Sequence, residues 1–162
     1  ARLELADATM LSELARVYEK RGDLPQPDGE YPLLLTPRRT NEVLNSIGRT
    51  NPRLGGKRPY NPAFLNPGDL EKFGVSDGET IRIRSRHGEV VGIARGDTGI
   101  QQPGRAGTLS MSHCYGLNPD EEERPSREGA CTARLLDAGG DLDPIFGQPR
   151  MGAIPVAIAS AD

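Results

Sequence analysis

The sequence predicts a mainly β domain, a barrel of short strands with long loops and two small helices. Glycine (20) and proline (14) together make up 34 of 162 residues, which is about 21% against a usual ~12%. The apolar residues fall in short blocks separated by turn signals, and in one block, residues 79–86, apolar and polar side chains alternate. The glycine and proline density excludes a helical bundle, and no apolar run approaches the roughly eighteen residues of a membrane span.

The chain opens with a predicted helix followed by a linker and a strand. Asp7 can cap the helix, which is expected to end near Gly22. Its apolar residues fall on one stripe: Met10, Leu11, Leu14, Val17 and Tyr18. Residues 23–30 are rich in proline and glycine and indicate a linker. Residues 31–36, YPLLLT, form an almost continuous apolar run, which is typical of a strand buried on both faces.

A second short helix is predicted in the middle of the chain. Asn66 can act as its N-cap, and Pro67 then occupies the first helical position. Gly74 lies just beyond the expected C-terminus. The two turns between these signals place Leu70 and Phe73 toward the core.

A β-hairpin follows this helix. An Asp-Gly pair precedes residues 79–86, and a His-Gly pair separates them from the returning strand at residues 89–94. Alternation directs Ile81 and Ile83 to one face of the strand and its arginines to the other. Further strands are expected at residues 108–112 and 154–159, which makes at least five and favours a barrel.

Charge is concentrated in two of the predicted loops. Residues 36–60 contain six basic side chains and one acid, whereas residues 119–143 contain eight acids and three arginines, so the modest net charge of -3 hides a basic and an acidic loop. The guanidinium groups and small polar residues of the basic loop suit a phosphate or diphosphate. A solvated basic loop explains the same pattern, and no standard nucleotide-binding motif is present.

Two other groups of residues could carry chemistry. His113 and Cys114 follow a predicted strand, and they indicate either a nucleophilic pair or a histidine that donates to a ligand or a nearby carbonyl. Asp137, Asp141 and Asp143 could form an acid–base pair or simply lie in a solvated loop. The two histidines and two cysteines follow no zinc spacing, so no metal site is predicted. A reducing, cytoplasmic setting suits two cysteines, although the sequence leaves localisation open.

Four segments, taken in their order along the chain, resemble one known family. These are YPLLLTPRRTNEVLNSIGR, YNPAFLNPGDLEKFGVSDGETIRIRSRHGEV, PGRAGTLSMSHCYG and DPIFGQPRMGAIPV, within residues 31–158. They resemble the C-terminal molybdopterin dinucleotide-binding domain of the dimethyl sulfoxide reductase family of molybdenum oxidoreductases. The stretch NPGDLEKFGVSDGETIRIRSRHGEV carries the most specific match, with Glu79 where aspartate is usual.

The resemblance implies a double-psi β-barrel of six strands with two crossing connections. Residues 29–162 would form this barrel, and residues 1–28 would be a connecting helix and linker. The domain would cap a bis(molybdopterin guanine dinucleotide) cofactor and would not be catalytic alone. Other domains of the same oxidoreductase subunit would hold the molybdenum or tungsten and are the implied partners. Neither nucleic acid nor membrane insertion is implied.

The resemblance also implies roles for individual residues. Five residues after the first strand would meet the dinucleotide: Thr36, Arg38, Arg39, Asn45 and Ser46. Asn66 and Asp69 would contact the nucleoside end, where a carboxylate can accept hydrogen bonds from guanine. His113 and Gly116 would lie against the pterin.

The sequence departs from the family pattern near one loop. Cys131 and Ala133 stand where many members have asparagines, and Ala133 cannot make the amide hydrogen bonds implied there. Cys114 replaces a frequent glycine. Two alternative functions therefore stay open: a stand-alone double-psi barrel acting as an adaptor or nucleotide-binding module, and a small enzyme using His113 and Cys114.

Overall fold

Six short strands close into one barrel. The computed structural model describes residues 6–20, 25–57, 59–100, 107–116 and 124–161. The strands are β1 (Leu33–Pro37), β2 (Ala63–Leu65), β3 (Thr80–Arg84), β4 (Glu89–Gly96), β5 (Thr108–Met111) and β6 (Ile154–Ser160). Their order around the barrel is β1-β5-β2-β4-β3-β6, and β6 closes it by pairing with β1.

Strands that are consecutive in the chain are repeatedly separated in the barrel. β5 lies between β1 and β2, with Leu35 opposite Leu109 in the parallel β1–β5 pair. In turn, β2 lies between β4 and β5, with Ala63 opposite Ala94 in the parallel β2–β4 pair. The connections from β1 to β2 and from β4 to β5 therefore cross neighbouring strands in an interlocked manner. This topology confirms the predicted mainly β, six-stranded double-psi barrel.

The barrel interior is filled by alternate residues of the strands. Ile81 and Ile83 of β3 are completely buried and Arg82 and Arg84 are exposed, as the alternation predicts. The prediction for β1 was wrong in one respect, because Leu34 is half-buried and only Leu33 and Leu35 point inward. Most of the remaining core comes from Leu65, Val90, Leu109, Met111, Leu135 and Val156.

Among the described strands, β2 is the one that sequence patterning missed. Its three residues lie between Pro62 and Pro67, too short a segment to show a period of two. Pairing on both sides, with β5 and β4, makes it a strand. The hairpin β3–β4, by contrast, confirms the expectation from the sequence, with Arg84 opposite Glu89 next to the turn.

Both predicted helices are present. Helix α2 (Pro67–Lys72) is capped by the Asn66 side chain, which accepts from the Gly68 N–H at 2.7 Å. It buries Leu70, while Phe73, expected in the core, is half-buried and packs against it. Helix α1 (Ala8–Glu19) is capped by Asp7, but none of its residues is buried. The expected helix end near Gly22 lies outside the described residues.

One buried side chain joins three loops at the end of the barrel where β5 terminates. The Asn61 amide nitrogen donates to the Ser112 carbonyl at 2.6 Å and to the Ala130 carbonyl at 2.9 Å. Its oxygen accepts from the Ala130 N–H at 2.7 Å. Gly129 has a φ of +72°, and a Cβ there would lie 2.3 Å from the Asn61 oxygen, so this contact requires glycine.

Replacing Asn61 with alanine should therefore destabilise the whole domain. The change leaves three buried backbone groups without partners, which should reduce the free energy of unfolding by about 2–4 kcal/mol. Urea denaturation of the chain measures the loss. The matched control is Asn51→Ala in an exposed turn, where the side chain accepts from the Arg53 N–H and the expected change is below about 0.5 kcal/mol. Equal effects of the two substitutions would contradict the bridging role.

Candidate functional site

The turn that follows β5 is an unusual backbone segment held close to a second loop. Cys114 has a φ of 65°, in the left-handed region, and is exposed, whereas Tyr115 is buried. Gly116 also has a positive φ, and a Cβ there would lie 2.8 Å from the Cys131 nitrogen. The Gly116 N–H donates to the Glu128 carbonyl at 2.9 Å. Residues 112–116 are therefore packed closely against the loop at residues 128–131.

The basic loop of residues 36–60 is attached to this turn at two points. The Asn45 side-chain oxygen accepts from Arg39 Nη1 at 2.8 Å and lies 2.7 Å from His113 Nε2. Arg49 Nη1 donates to the Cys114 carbonyl at 2.7 Å, and its guanidinium lies 4.8 Å from the centre of the Tyr115 ring. The structure thus brings together three of the predicted site residues, Arg39, Asn45 and His113.

The protonation state of His113 follows from its surroundings. An amide oxygen can only accept, so the His113 Nε2 carries the hydrogen and Nδ1 holds a lone pair. Nδ1 is buried and has no hydrogen-bond partner among the described residues. Burial, together with the nearby Arg39 charge, lowers the pKa of His113 below its ordinary value. The side chain is therefore a neutral hydrogen-bond donor near neutral pH.

Arg38 points away from that cluster. It lies over the Phe64 ring, 4.0 Å from the centroid, and its Nη1 donates to Asp97 at 2.6 Å. The hydrogen bond from Arg38 and a second one from the Gly99 N–H lower the pKa of the Asp97 carboxyl group. Arg38 thus lies across the outer surface of the barrel, and one of its guanidinium nitrogens is already engaged by Asp97.

Thr36 and Ser46 are both exposed to solvent. Thr36 lies near the end of β1, opposite Ser110 of β5. Ser46 lies in the tight turn closed by reciprocal backbone hydrogen bonds between Leu44 and Ile47. Both hydroxyl groups lie in the same part of the chain as the exposed Arg39 and Asn45.

Asn66 and Asp69 lie apart from the His113 cluster, at the end of the barrel where β5 begins. Asn66 caps α2 and Asp69 is 6% exposed. One Asp69 oxygen accepts from the Gly107 N–H at 2.9 Å. Arg38 connects the two ends, because its partner Asp97 directly follows β4 and hydrogen-bonds through its backbone N–H to Leu65.

The alternative catalytic groups have structural partners. Asp137 accepts from the backbone of Gly140, Asp141 pairs with Arg150, and Asp143 accepts from the N–H groups of Ile145 and Phe146. These contacts favour the interpretation as local turn-forming carboxylates. Among the described residues, Cys114 makes no hydrogen bond to His113, whose two nitrogens are occupied or buried.

The segment that departs from the family pattern forms a short 3-10 helix, Thr132–Leu135. Cys131 precedes it and is half-buried, and Ala133 is exposed. Leu135 enters the core. The described ranges contain no group of three or more His, Cys, Asp or Glu side chains that could hold a metal ion. In the same ranges no helix has the length and apolar character needed to cross a bilayer.

Three residues that organise the site were not singled out from the sequence. Asn61 stands in an Asn-Pro pair, a turn signal that could have marked it, as the pair at Asn66 did. Arg49 was one of six basic residues in a loop without periodicity. Asp97 lies 59 positions from Arg38, and no local pattern connects such distant residues.

Comparisons with known proteins agree with this architecture. A family model described as a molydopterin dinucleotide binding domain matches residues 33–155. One tetrathionate reductase subunit from Salmonella typhimurium is 32% identical over 90 residues, which is 56% of this chain and 8% of that protein. Acetylene hydratase from Pelobacter acetylenicus has a similar structure, with a TM-score of 0.64 and 22% identity over 99% of this chain and 21% of that chain.

The last likeness concerns the fold alone. The chain spans only 8% and 21% of the lengths of these two proteins. The family model, in contrast, covers most of the chain, from the start of β1 to the start of β6. The chain therefore belongs to the molydopterin dinucleotide binding domain family.

Proposed function

We propose that this chain is the domain that caps a bis(molybdopterin guanine dinucleotide) cofactor within a larger molybdenum or tungsten oxidoreductase, and that it is not catalytic alone. The observation that carries this proposal is the exposed donor cluster of Arg39 and Asn45, fixed on the turn at His113. Its position in a chain of this family supports a role in holding the cofactor.

The donor set fits an anionic dinucleotide. Arg39 has no carboxylate partner among the described residues, so its charge is available to a diphosphate. Thr36, Asn45 and Ser46 add small exposed polar groups for ribose or pterin atoms. When bound, the cofactor supplies the redox-active metal centre, and the residues of this domain bind and orient it.

The other predicted residues take narrower roles in this proposal. Asn66 and Asp69 would meet the nucleoside end, and the second Asp69 oxygen would be the acceptor for guanine, since the first already binds Gly107. Arg38 would bridge the two regions through Asp97. Gly116 would permit close approach of the pterin because it has no side chain, while its N–H donates to the Glu128 carbonyl.

We further propose that the partners are the remaining domains of the same oxidoreductase polypeptide and that α1 is one surface on which they pack. The helix carries five exposed apolar side chains: Met10, Leu11, Leu14, Val17 and Tyr18. Val17 and Phe146 line one cleft of about 350 Å³ between the helix and residues 141–150. Phe146 is 76% exposed, so the apolar surface continues from helix to loop. An amphipathic helix usually depends on burial of this face for its stability.

Changing Arg39 to alanine should reduce cofactor retention in the full-length oxidoreductase. Loss of one charge-assisted hydrogen bond, worth about 1.5–3 kcal/mol, should weaken binding roughly 10- to 100-fold. The measurement is molybdenum or tungsten, and guanine nucleotide released by acid, per polypeptide. The matched control is Arg53→Ala, an exposed arginine of the same loop. Equal retention by both variants would contradict the diphosphate role, and turnover by the 162-residue chain alone would contradict its non-catalytic role.

The double substitution Leu11→Glu and Leu14→Glu tests the packing surface. In the 162-residue chain the unfolding midpoint should not change, because α1 buries none of its residues. In the full-length oxidoreductase the same change should lower the midpoint, since charged groups would enter an interface between domains. Thr9→Glu and Ser12→Glu add the same charge to the polar side of the helix and serve as the control. An unchanged full-length protein would exclude this surface and favour the stand-alone module.

A further inference from the structure

We propose that His113 is a positioning residue, whose Nε2–H group holds the Asn45 side-chain oxygen so that the Asn45 amide NH2 group is presented to the diphosphate of the bound dinucleotide. The proposal deepens the function proposed above and rests on it for the identity of the ligand. It differs from the expectation that His113 itself donates to the pterin.

The Asn45 side chain is oriented by two donors. Its oxygen accepts from Arg39 at 2.8 Å and from His113 at 2.7 Å. The amide nitrogen has no partner within the described part of the chain, and the residue is exposed. Two donors on the oxygen turn the NH2 group outward, next to the remaining N–H groups of Arg39. One oxygen thus assembles a cluster of donors that suits phosphate oxygens.

The backbone at Asn45 depends on the same contact. Its φ is 55°, in the left-handed region, which asparagine tolerates better than most residues. The turn at Leu44 and Ile47 is exposed and is closed by two reciprocal backbone hydrogen bonds. The link to His113 is therefore one of the two connections between the basic loop and the barrel end, and it is the one made by the turn itself.

The environment of His113 keeps it a donor at Nε2. Its Nδ1 is buried and has no partner in the part of the chain that the structure describes. The residue lines a cavity of about 10 Å³, which is too small to hold more than one water. The side chains around that cavity are uncharged: Leu35, Pro37, Met111, Thr132, Leu136 and Met151. Arg39 is the charged group facing the ring and Cys114 is its titratable neighbour in sequence. Both burial and Arg39 disfavour the imidazolium, in agreement with the lowered pKa.

The tautomer is directly observable, because the chain has only two histidines. In a His87→Gln variant, ¹H–¹⁵N correlation spectra of the imidazole report His113 alone, and we expect the Nε2–H form near neutral pH. Adding Asn45→Ala should remove this preference. A predominant Nδ1–H form would overturn the positioning role, and so would a tautomer ratio that Asn45→Ala does not change. Neither measurement requires a bound ligand.

Inorganic diphosphate is the probe for presentation of the amide. The Asn45 NH2 signals of the labelled chain should shift on titration, and Asn45→Asp should weaken binding at least about tenfold, because it replaces the donor with a carboxylate that repels the anion. His113→Ala should also weaken it, whereas His113→Gln should restore it, since a glutamine amide can still donate to Asn45. Equal affinity of wild type and Asn45→Asp, or failure of His113→Gln to restore it, would overturn the presentation of the amide. If wild type binds no diphosphate while the tautomer is as expected, the ligand assignment fails and the positioning contact stands.

Stability should also depend on pH through His113. A histidine pKa lowered in the folded state means that the unfolded chain binds the proton more tightly. The stabilising contribution is therefore complete above the ordinary value of about 6.5 and is lost as pH falls from there through the folded value. Denaturant unfolding across this range should show a decline in wild type that His113→Gln abolishes and His87→Gln retains. A decline unaffected by His113→Gln would contradict the buried neutral state.

Discussion

The end of the barrel that carries the site depends on one buried amide. Crossing connections between very short strands leave loops whose backbone groups cannot join a β-ladder. Asn61 satisfies three of these groups, in Ser112 and at both polar atoms of Ala130, and is 2% exposed. Its contacts reach both the turn after β5 and the loop before the 3-10 helix. This side chain therefore holds together the two segments against which the rest of the site lies.

Three arginines of the basic loop have different roles. Arg49 binds the Cys114 carbonyl and lies over the Tyr115 ring, which attaches the loop to the turn. Arg38 is paired with Asp97 and lies over Phe64, which ties the loop to the outer barrel surface. Arg39 shares the Asn45 oxygen with His113 and keeps its charge uncompensated among the described residues. Arg38 and Arg49 thus use their guanidinium groups in contacts within the protein, whereas the charge of Arg39 is available to an anion.

Elements with strong local signals were predictable. The hairpin β3–β4 combines an alternating pattern with turn residues, and α2 combines an N-cap, a proline and a terminal glycine, so local signals sufficed to predict both. The identity of β2 was not predictable from its three residues, because pairing with β4 and β5 creates it. The stripe on α1 was identified correctly as a helix face, but its periodicity could not tell a buried face from an exposed one.

The sequence by itself determined the class of fold, the basic loop and the family whose motifs the chain carries. Only the tertiary structure decided which residues act together: His113 meets Asn45 across 68 positions, and Asn61 meets Ala130 across 69. Hydrogen bonds of this kind depend on distance and direction in space, which the crossing connections set and no local spacing encodes. The same reason explains why Arg38 and Arg39, neighbours in the chain, point to different partners.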